Sequence, residues 1–247
     1  MASRSEARLA IESGGVTIKG IPASRPATLV APGDAIALTG PARRFVSRGG
    51  DKLDFALNRL DVTVAGRKWL DAGASTGGFT DRLLRSGAAC VIALDVGYGQ
   101  LDWRLRNDDR VIVKERTNVR TLAVTDLPWR PEAVVADLSF ISLTLVLPAL
   151  ARVAVETADF VLLVKPQFEV GREAVENGVV RDPELWRAAV AKVVDAAGQI
   201  GLGLAGATPS FPPGPAGNRE FFVHLKRGAR TDTEALHVAV EEAAQWS

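Results

Sequence analysis

Trp69-Leu70-Asp71-Ala72-Gly73-Ala74-Ser75-Thr76-Gly77-Gly78-Phe79-Thr80 is a short apolar run that ends in an acid, passes through a small-residue loop and opens into a helix. A parallel strand that ends this way receives a nucleotide-like ligand at its carboxyl end. Glycines let the backbone approach the ligand, and the helix amino terminus presents free N–H groups. Gly73, Ser75 and Gly78 occupy the places of G-x-G-x-x-G, but the middle residue is a serine. The middle glycine of that fingerprint lets a pyrophosphate press against the chain. Its replacement favours a ligand with an adenosine and no pyrophosphate, of which S-adenosylmethionine is the commonest. The loop by itself is also compatible with an ordinary strand–turn–helix corner. Asp95 sharpens the reading: it closes the next apolar strand, Cys90-Val91-Ile92-Ala93-Leu94, and lies 24 residues beyond Asp71. In nucleotide-binding α/β folds an acid near this offset takes the ribose hydroxyls.

Downstream of this loop, apolar runs alternate with helical periodicity, the pattern of a parallel sheet covered on both faces. Helices are expected over 79–86, 141–155 and 182–200, the last with Asp182 as cap and Pro183 at its first position. Strands are expected over 110–114, 133–137, 159–165, 204–210 and 220–226. The join Pro212-Pro213-Gly214-Pro215-Ala216-Gly217 is too short for a crossover helix, so the last two strands should be antiparallel neighbours. Seven strands with one antiparallel pair at the end make a Rossmann-like, class I S-adenosylmethionine-dependent methyltransferase arrangement.

Upstream, residues 1–40 have the texture of a separate small unit. A helix over 3–11, capped by Ser3 or Ser5 and ended by Gly14-Gly15, precedes two short strands at 16–19 and 35–38. Residues 41–50 read as a linker, 51–230 as the main domain and 231–247 as a helical tail. Arg4, Arg8 and Lys19, with Arg43, Arg44 and Arg48 of the linker, are candidate RNA-phosphate contacts, although by composition alone a solvated face explains the set of Arg4, Arg8, Lys19 and Arg25 better. A helix is expected over 51–60, with Asp51 as cap and Leu53, Leu57 and Leu60 on one face. Lys52 in its first turn opposes the helix dipole, which suggests a purpose other than helix stability.

The 247 residues allow one large α/β domain and a small appendage, and 47% apolar with 24% charged residues is the composition of a globular protein with a sizeable core. A net charge of +1 excludes nucleic-acid binding through the overall field, leaving local clusters. The lone Cys90 cannot form an intramolecular disulfide, and with two distant histidines no metal ligand set arises, so a reducing cytoplasm fits. No signal peptide is evident, and no apolar run nears the roughly 20 residues of a membrane helix.

Ligands of open α/β sheets sit beyond the carboxyl ends of the strands. Asp71, Asp95, Asp137 and Lys165 occupy four of those ends. A lone strand-end acid or lysine is usually structural; an acid and a lysine at adjacent ends beside a cofactor loop point to chemistry. Methyl transfer to a hydroxyl must remove a proton of high intrinsic pKa. A lysine can serve as the base if burial and a second cation lower its pKa, or stay charged and stabilise the developing alkoxide. A carboxylate between two lysines orients them, a set suited to ribose 2′-O-methylation. The Asn-Pro-Pro-aromatic motif of base N-methyltransferases is absent.

Five motifs, in order, then resemble one family: Ser47-Arg48-Gly49-Gly50-Asp51-Lys52-Leu53, the Asp71–Thr80 loop, Asp95-Val96-Gly97-Tyr98-Gly99-Gln100-Leu101, Asp137-Leu138-Ser139-Phe140-Ile141-Ser142 and Lys165-Pro166-Gln167-Phe168-Glu169. Together they are similar to the TlyA family of ribosomal RNA 2′-O-methyltransferases, also labelled haemolysins. The resemblance implies S-adenosylmethionine as cofactor and cytidine ribose in 23S, and in some members 16S, rRNA as substrate, with ribosomal subunits as partners and no metal. It maps a catalytic set onto Lys52, Asp137, Lys165 and, in Gly217-Asn218-Arg219-Glu220-Phe221-Phe222, Glu220. Cofactor contacts map onto Asp71, Ala72, Gly73, Ala74, Ser75, Thr76, Gly77, Gly78, Phe79, Asp95 and Val96. Residues 1–40 resemble the family's S4-like RNA-binding module, which is expected here in truncated form because the chain opens at the segment of its second helix. The haemolysin label implies membrane lysis, which the lack of a spanning or strongly amphipathic apolar segment argues against. A small-molecule O-methyltransferase on the same scaffold and a non-catalytic RNA-binding or haemolysin-like protein are the alternatives.

Overall fold

A computed structural model describes residues 7–8, 10–11, 15–23, 25–39, 44–214 and 217–246. The chain divides into Met1–Arg44 and Phe45–Ser247. In the first unit, residues 7, 8, 10 and 11 are helical. Val16–Ile18 (β1) pairs antiparallel with both Ile21–Pro22 (β2) and Ile36–Leu38 (β3). The sequence suggested two strands here. The third, β2, follows a tight turn at Lys19-Gly20, both with positive φ (52° and 79°), the twist a two-residue hairpin requires.

In the second unit, Arg48–Arg59 (α1) leads into Lys68–Ala72 (β4), Gly78–Arg85 (α2), Cys90–Leu94 (β5), Trp103–Arg106 (α3), Val111–Lys114 (β6) and Ala133–Ala136 (β7). Leu147–Val153 (α4), Asp159–Val164 (β8), Pro166–Glu169 (α5), Pro183–Gly198 (α6), Leu202–Pro209 (β9), Phe221–Arg227 (β10) and Thr233–Gln245 (α7) complete it. The sheet order is β6-β5-β4-β7-β8-β10-β9. β4 lies between β5 and β7, parallel to both, and β10 runs antiparallel to β8 and β9. The strand order reverses between β4 and β7, and ligands of such sheets bind in the crevice at that reversal. Side chains alternate across β4. Leu70 and Ala72 enter the core beneath α4, α6 and α7, while Trp69 enters the core shared with α1 and α2.

Several boundaries differ from the sequence expectation. α1 begins at Arg48 with Ser47 as N-cap, so Asp51 lies inside the first turn and is not the cap. Gly49 and Gly50 do not break the helix, because tertiary packing uses them. A Cβ on Gly50 would overlap the buried Phe45 ring, and one on Gly78 would lie 2.8 Å from the Gly50 nitrogen. Phe45 therefore belongs to the second unit and not to a linker. The expected helix over 141–155 is split into a 3-10 turn at Leu143–Leu145 and α4, because Pro148 is tolerated only in a first helical turn. The tail helix α7 buries Leu236, Ala239, Val240 and Ala243 in the main core. Among the described residues, no helix is long and apolar enough to cross a membrane.

Candidate active site

The loop after β4 meets the end of β7 backbone to backbone. Gly73 has φ +86°, and a Cβ there would sit 2.6 Å from the Asp137 carbonyl oxygen. Ser75 also takes a left-handed conformation, at φ +47°, so the residue that replaces the usual glycine still bends as one. Its side chain then has a use: Ser75 Oγ donates to Gln100 Oε1 at 3.3 Å. Asp95 braces the loop, accepting from the Ser75 N–H at 2.8 Å and the Gly97 N–H at 2.7 Å. Each carboxylate oxygen keeps a further lone pair for a ligand hydroxyl. Val96 beside it is exposed, an apolar surface at the mouth of the loop.

Asp71 is fully buried. Its Oδ2 accepts from Thr80 Oγ1 at 2.7 Å, and its Oδ1 has no partner. Burial pushes its carboxyl up to about 7, against the Thr80 hydrogen bond and with help from the negative charges of Asp137 and Asp95. An orphaned buried acceptor is rare. A cationic donor arriving in the crevice would satisfy it. The donor and acceptor set therefore fits a small nucleoside that carries an ammonium group. Replacing Asp95 by alanine is expected to weaken S-adenosylhomocysteine binding by roughly 10- to 100-fold in calorimetry, the scale of charge-assisted hydrogen bonds. An unaltered dissociation constant would remove Asp95 from the site.

At the neighbouring strand ends, four charged groups form two ion pairs. Lys165 Nζ lies 2.6 Å from Asp137 Oδ1, a charge contact rather than an aligned hydrogen bond, and donates to Ser139 Oγ at 2.9 Å. Lys52 Nζ donates to Glu220 Oε2 at 2.5 Å, with both residues buried. β8 and β10 pair with Phe221 opposite Val164, which sets Glu220 across from Lys165 one step further out. Gly214 lies against Glu220, where any Cβ would collide with the carboxylate. α1 starts too early for Lys52 to lie in its first turn, so Lys52 does not oppose the helix dipole there. Its ammonium meets Glu220 instead.

Three features of the site are not evident from spacing. Glu169 is buried and holds the loop after Asp137, accepting from Ser142 Oγ at 2.5 Å and from the Leu143 N–H at 2.7 Å. Burial pushes its carboxyl up while those two donors oppose the shift. Phe140 is 91% exposed, at φ +64°, with its ring 5.2 Å from that of Phe168. An aromatic held exposed in left-handed backbone is strained, and such strain clusters at ligand clamps. Phe168 in turn lies 6.0 Å from Lys165 Nζ. Asp137-Leu138-Ser139-Phe140-Ile141-Ser142 carries no sequence signal for this, because Leu138 and Ile141 are apolar as well and only the fold leaves Phe140 outside.

Arg8 and Arg44 are exposed, and Lys19 is exposed but paired with Asp34 at 2.8 Å. Arg48 is exposed and donates to the Pro213 carbonyl at 2.8 Å. Arg4 and Arg43 lie outside the described residues.

Residues 45–227 match the FtsJ-like methyltransferase family. A Mycobacterium tuberculosis protein named 16S/23S rRNA (cytidine-2′-O)-methyltransferase TlyA is 50% identical over 97% of this chain and 92% of its own. The chain belongs to the FtsJ-like methyltransferases and, within them, to the TlyA family. A solved structure from Streptococcus thermophilus, described as a candidate hemolysin, superposes with TM-score 0.84 at 38% identity, covering 98% of this chain and 90% of that one. A candidate S-adenosylmethionine dependent methyltransferase from Listeria monocytogenes shares the fold at TM-score 0.54 and 13% identity, over 74% of this chain and 100% of that one. The TlyA-family motifs thus sit on a methyltransferase sheet, at the end where such sheets bind ligands.

Proposed function

We propose that this chain is an S-adenosylmethionine-dependent rRNA methyltransferase that modifies the 2′-oxygen of cytidine in 23S and 16S rRNA. The observation that carries the reading is the Lys165–Asp137 pair at the crevice, with Lys52–Glu220 on the adjacent strand end. The name of the Mycobacterium tuberculosis relative supports the substrate and both subunits. When bound, S-adenosylmethionine supplies an electrophilic methyl group. Asp71 and Asp95 would hold its ammonium and ribose hydroxyls.

The ion pair supports one of the two roles open to Lys165. Its Nζ lies 2.6 Å from Asp137 Oδ1, so it already serves as a positive counter-charge at the crevice. In that role Lys165 steadies the oxyanion that develops on the ribose. Asp137 orients it and takes the hydroxyl proton. Lys52 adds buried positive charge that Glu220 balances. Phe140 offers an exposed π-face to the base, and Arg8, Lys19, Arg44 and Arg48, with Arg4 and Arg43, supply phosphate contacts. The strands of the first unit support an S4-like RNA module, and ribosomal substrates imply cytoplasmic action.

The test is tritium transfer from labelled S-adenosylmethionine to 30S subunits, 50S subunits and free rRNA that lack the marks. Label at a cytidine 2′-oxygen is expected; none on any of these, with the cofactor bound, would overturn the substrate. Phe140→Ala is expected to lower kcat/KM for rRNA by roughly 5- to 100-fold, the range of one base–aromatic stack, with cofactor affinity unchanged. Equal kcat/KM would take Phe140 out of RNA recognition.

A further inference from the structure

We infer that Trp246 is a positioning residue for the Lys52–Glu220 ion pair, an inference that rests on the assignment of that pair to the reaction. The Trp246 ring stands edge-on to two others: Phe55 at 6.1 Å and 80°, and Phe211 at 5.8 Å and 86°. Phe55 and Phe211 themselves lie 6.0 Å apart. Phe55 is on α1, one turn beyond Lys52. Phe211 opens the connection from β9 to β10, which ends at Glu220. The three-ring cluster therefore joins the two elements that carry the two ends of the pair. The Arg48 bond to the Pro213 carbonyl is a second tie between the same elements.

α7 has anchors other than Trp246. That helix is capped by Asp232, which accepts from the Ala235 N–H at 3.0 Å. It buries Leu236, Ala239, Val240 and Ala243, and Glu242 takes a bidentate bond from Arg59 of α1 at 2.7 Å for each contact. With the helix anchored this way, the indole spends its surface on Phe55 and Phe211. Edge-to-face rings hold separation and angle, whereas lysine and glutamate side chains are long and flexible. The pair carried by the two elements the rings join is buried, where charge separation matters most. Among the described residues Glu220 Oε1 has no hydrogen-bond partner, so that oxygen is held by packing against Gly214 and not by a hydrogen bond.

The experiment compares Trp246→Ala, Trp246→Phe, Glu220→Gln and the double variant Trp246→Ala/Glu220→Gln, by transfer of tritium from S-adenosylmethionine to unmodified rRNA. Trp246→Ala is expected to lower kcat roughly tenfold, on the scale of a misplacement below 1 Å. KM for rRNA, S-adenosylhomocysteine affinity and cooperative melting should stay as in the wild type. Trp246→Phe, which keeps an edge-to-face partner, should recover to within about threefold, and the double variant should be no slower than Glu220→Gln. Wild-type kcat in Trp246→Ala overturns the inference. So does a loss that tracks cofactor affinity without rescue by phenylalanine, or a double variant slower by the full factor. Wild-type kcat in Glu220→Gln fails separately: it removes the pair from the reaction, and Trp246 with it.

Discussion

Lys165→Ala should abolish methyl transfer, by roughly a thousandfold or more, while S-adenosylhomocysteine still binds with wild-type affinity. The ammonium lies 2.6 Å from Asp137 and its side chain is only 11% exposed, so it acts where water screens little. Its removal takes away the positive charge beside the oxygen on which negative charge must grow. The transition state then loses that attraction, and the ground state is less affected because the ribose hydroxyl is neutral. Single-turnover tritium transfer measures the rate, and calorimetry measures the cofactor. Lys165→Arg should not rescue, because a planar fork cannot reproduce a point charge placed between Asp137 and Ser139. Unchanged turnover in Lys165→Ala would end the assigned role.

Asp71→Asn should move stability and cofactor binding in opposite directions. The folded carboxyl is raised to about 7, against an ordinary value near 3.8. Between those values the folded chain holds a proton that the unfolded chain has released, so stability falls as pH rises from about 4 to about 7. Above pH 7 the full penalty of a buried charge remains, on the order of 4 kcal/mol. Asparagine carries no such charge, and its carbonyl can still accept from Thr80. The variant is therefore expected to melt roughly 5–10 °C higher at pH 8 and to match the wild type near pH 3.5. Its affinity for S-adenosylhomocysteine should fall at least tenfold, because the orphaned oxygen no longer offers a negative charge to an ammonium. Differential scanning at several pH values with calorimetry at pH 8 checks both. A lower melting temperature at pH 8 would show that Asp71 is not a strained buried charge.

The crevice illustrates a general feature of binding sites: local rules are broken there at a cost to stability. Ser75 and Phe140 adopt left-handed backbone without being glycine, and Asp71 is buried with an oxygen unpaired. Each is compensated by packing around it. Asp95 ties down Ser75, Glu169 holds the segment that carries Phe140, and Thr80 satisfies half of Asp71.

The alternation of apolar runs, the small-residue loop after Trp69-Leu70-Asp71 and the acids and lysine at strand ends follow from short-range patterning. They were therefore readable from the chain alone, as was the antiparallel final pair, forced by the short 212–217 join. Motif order carried the family and, with it, Glu220. Local pattern could not locate the start of α1, because Gly49-Gly50 is a breaker in isolation and becomes helical only once Phe45 and Gly78 pack against it. Nor could it pair Lys52 with Glu220 across 168 residues, since that contact depends on the β8–β10 register and the seat of α1. The amino-acid sequence determined the methyltransferase fold and the candidate groups at the strand ends, which depend on residue type and spacing. Tertiary structure alone decided which charges meet, which oxygen is left without a partner and which ring stays exposed, because burial and contact between distant segments exist only in the folded chain.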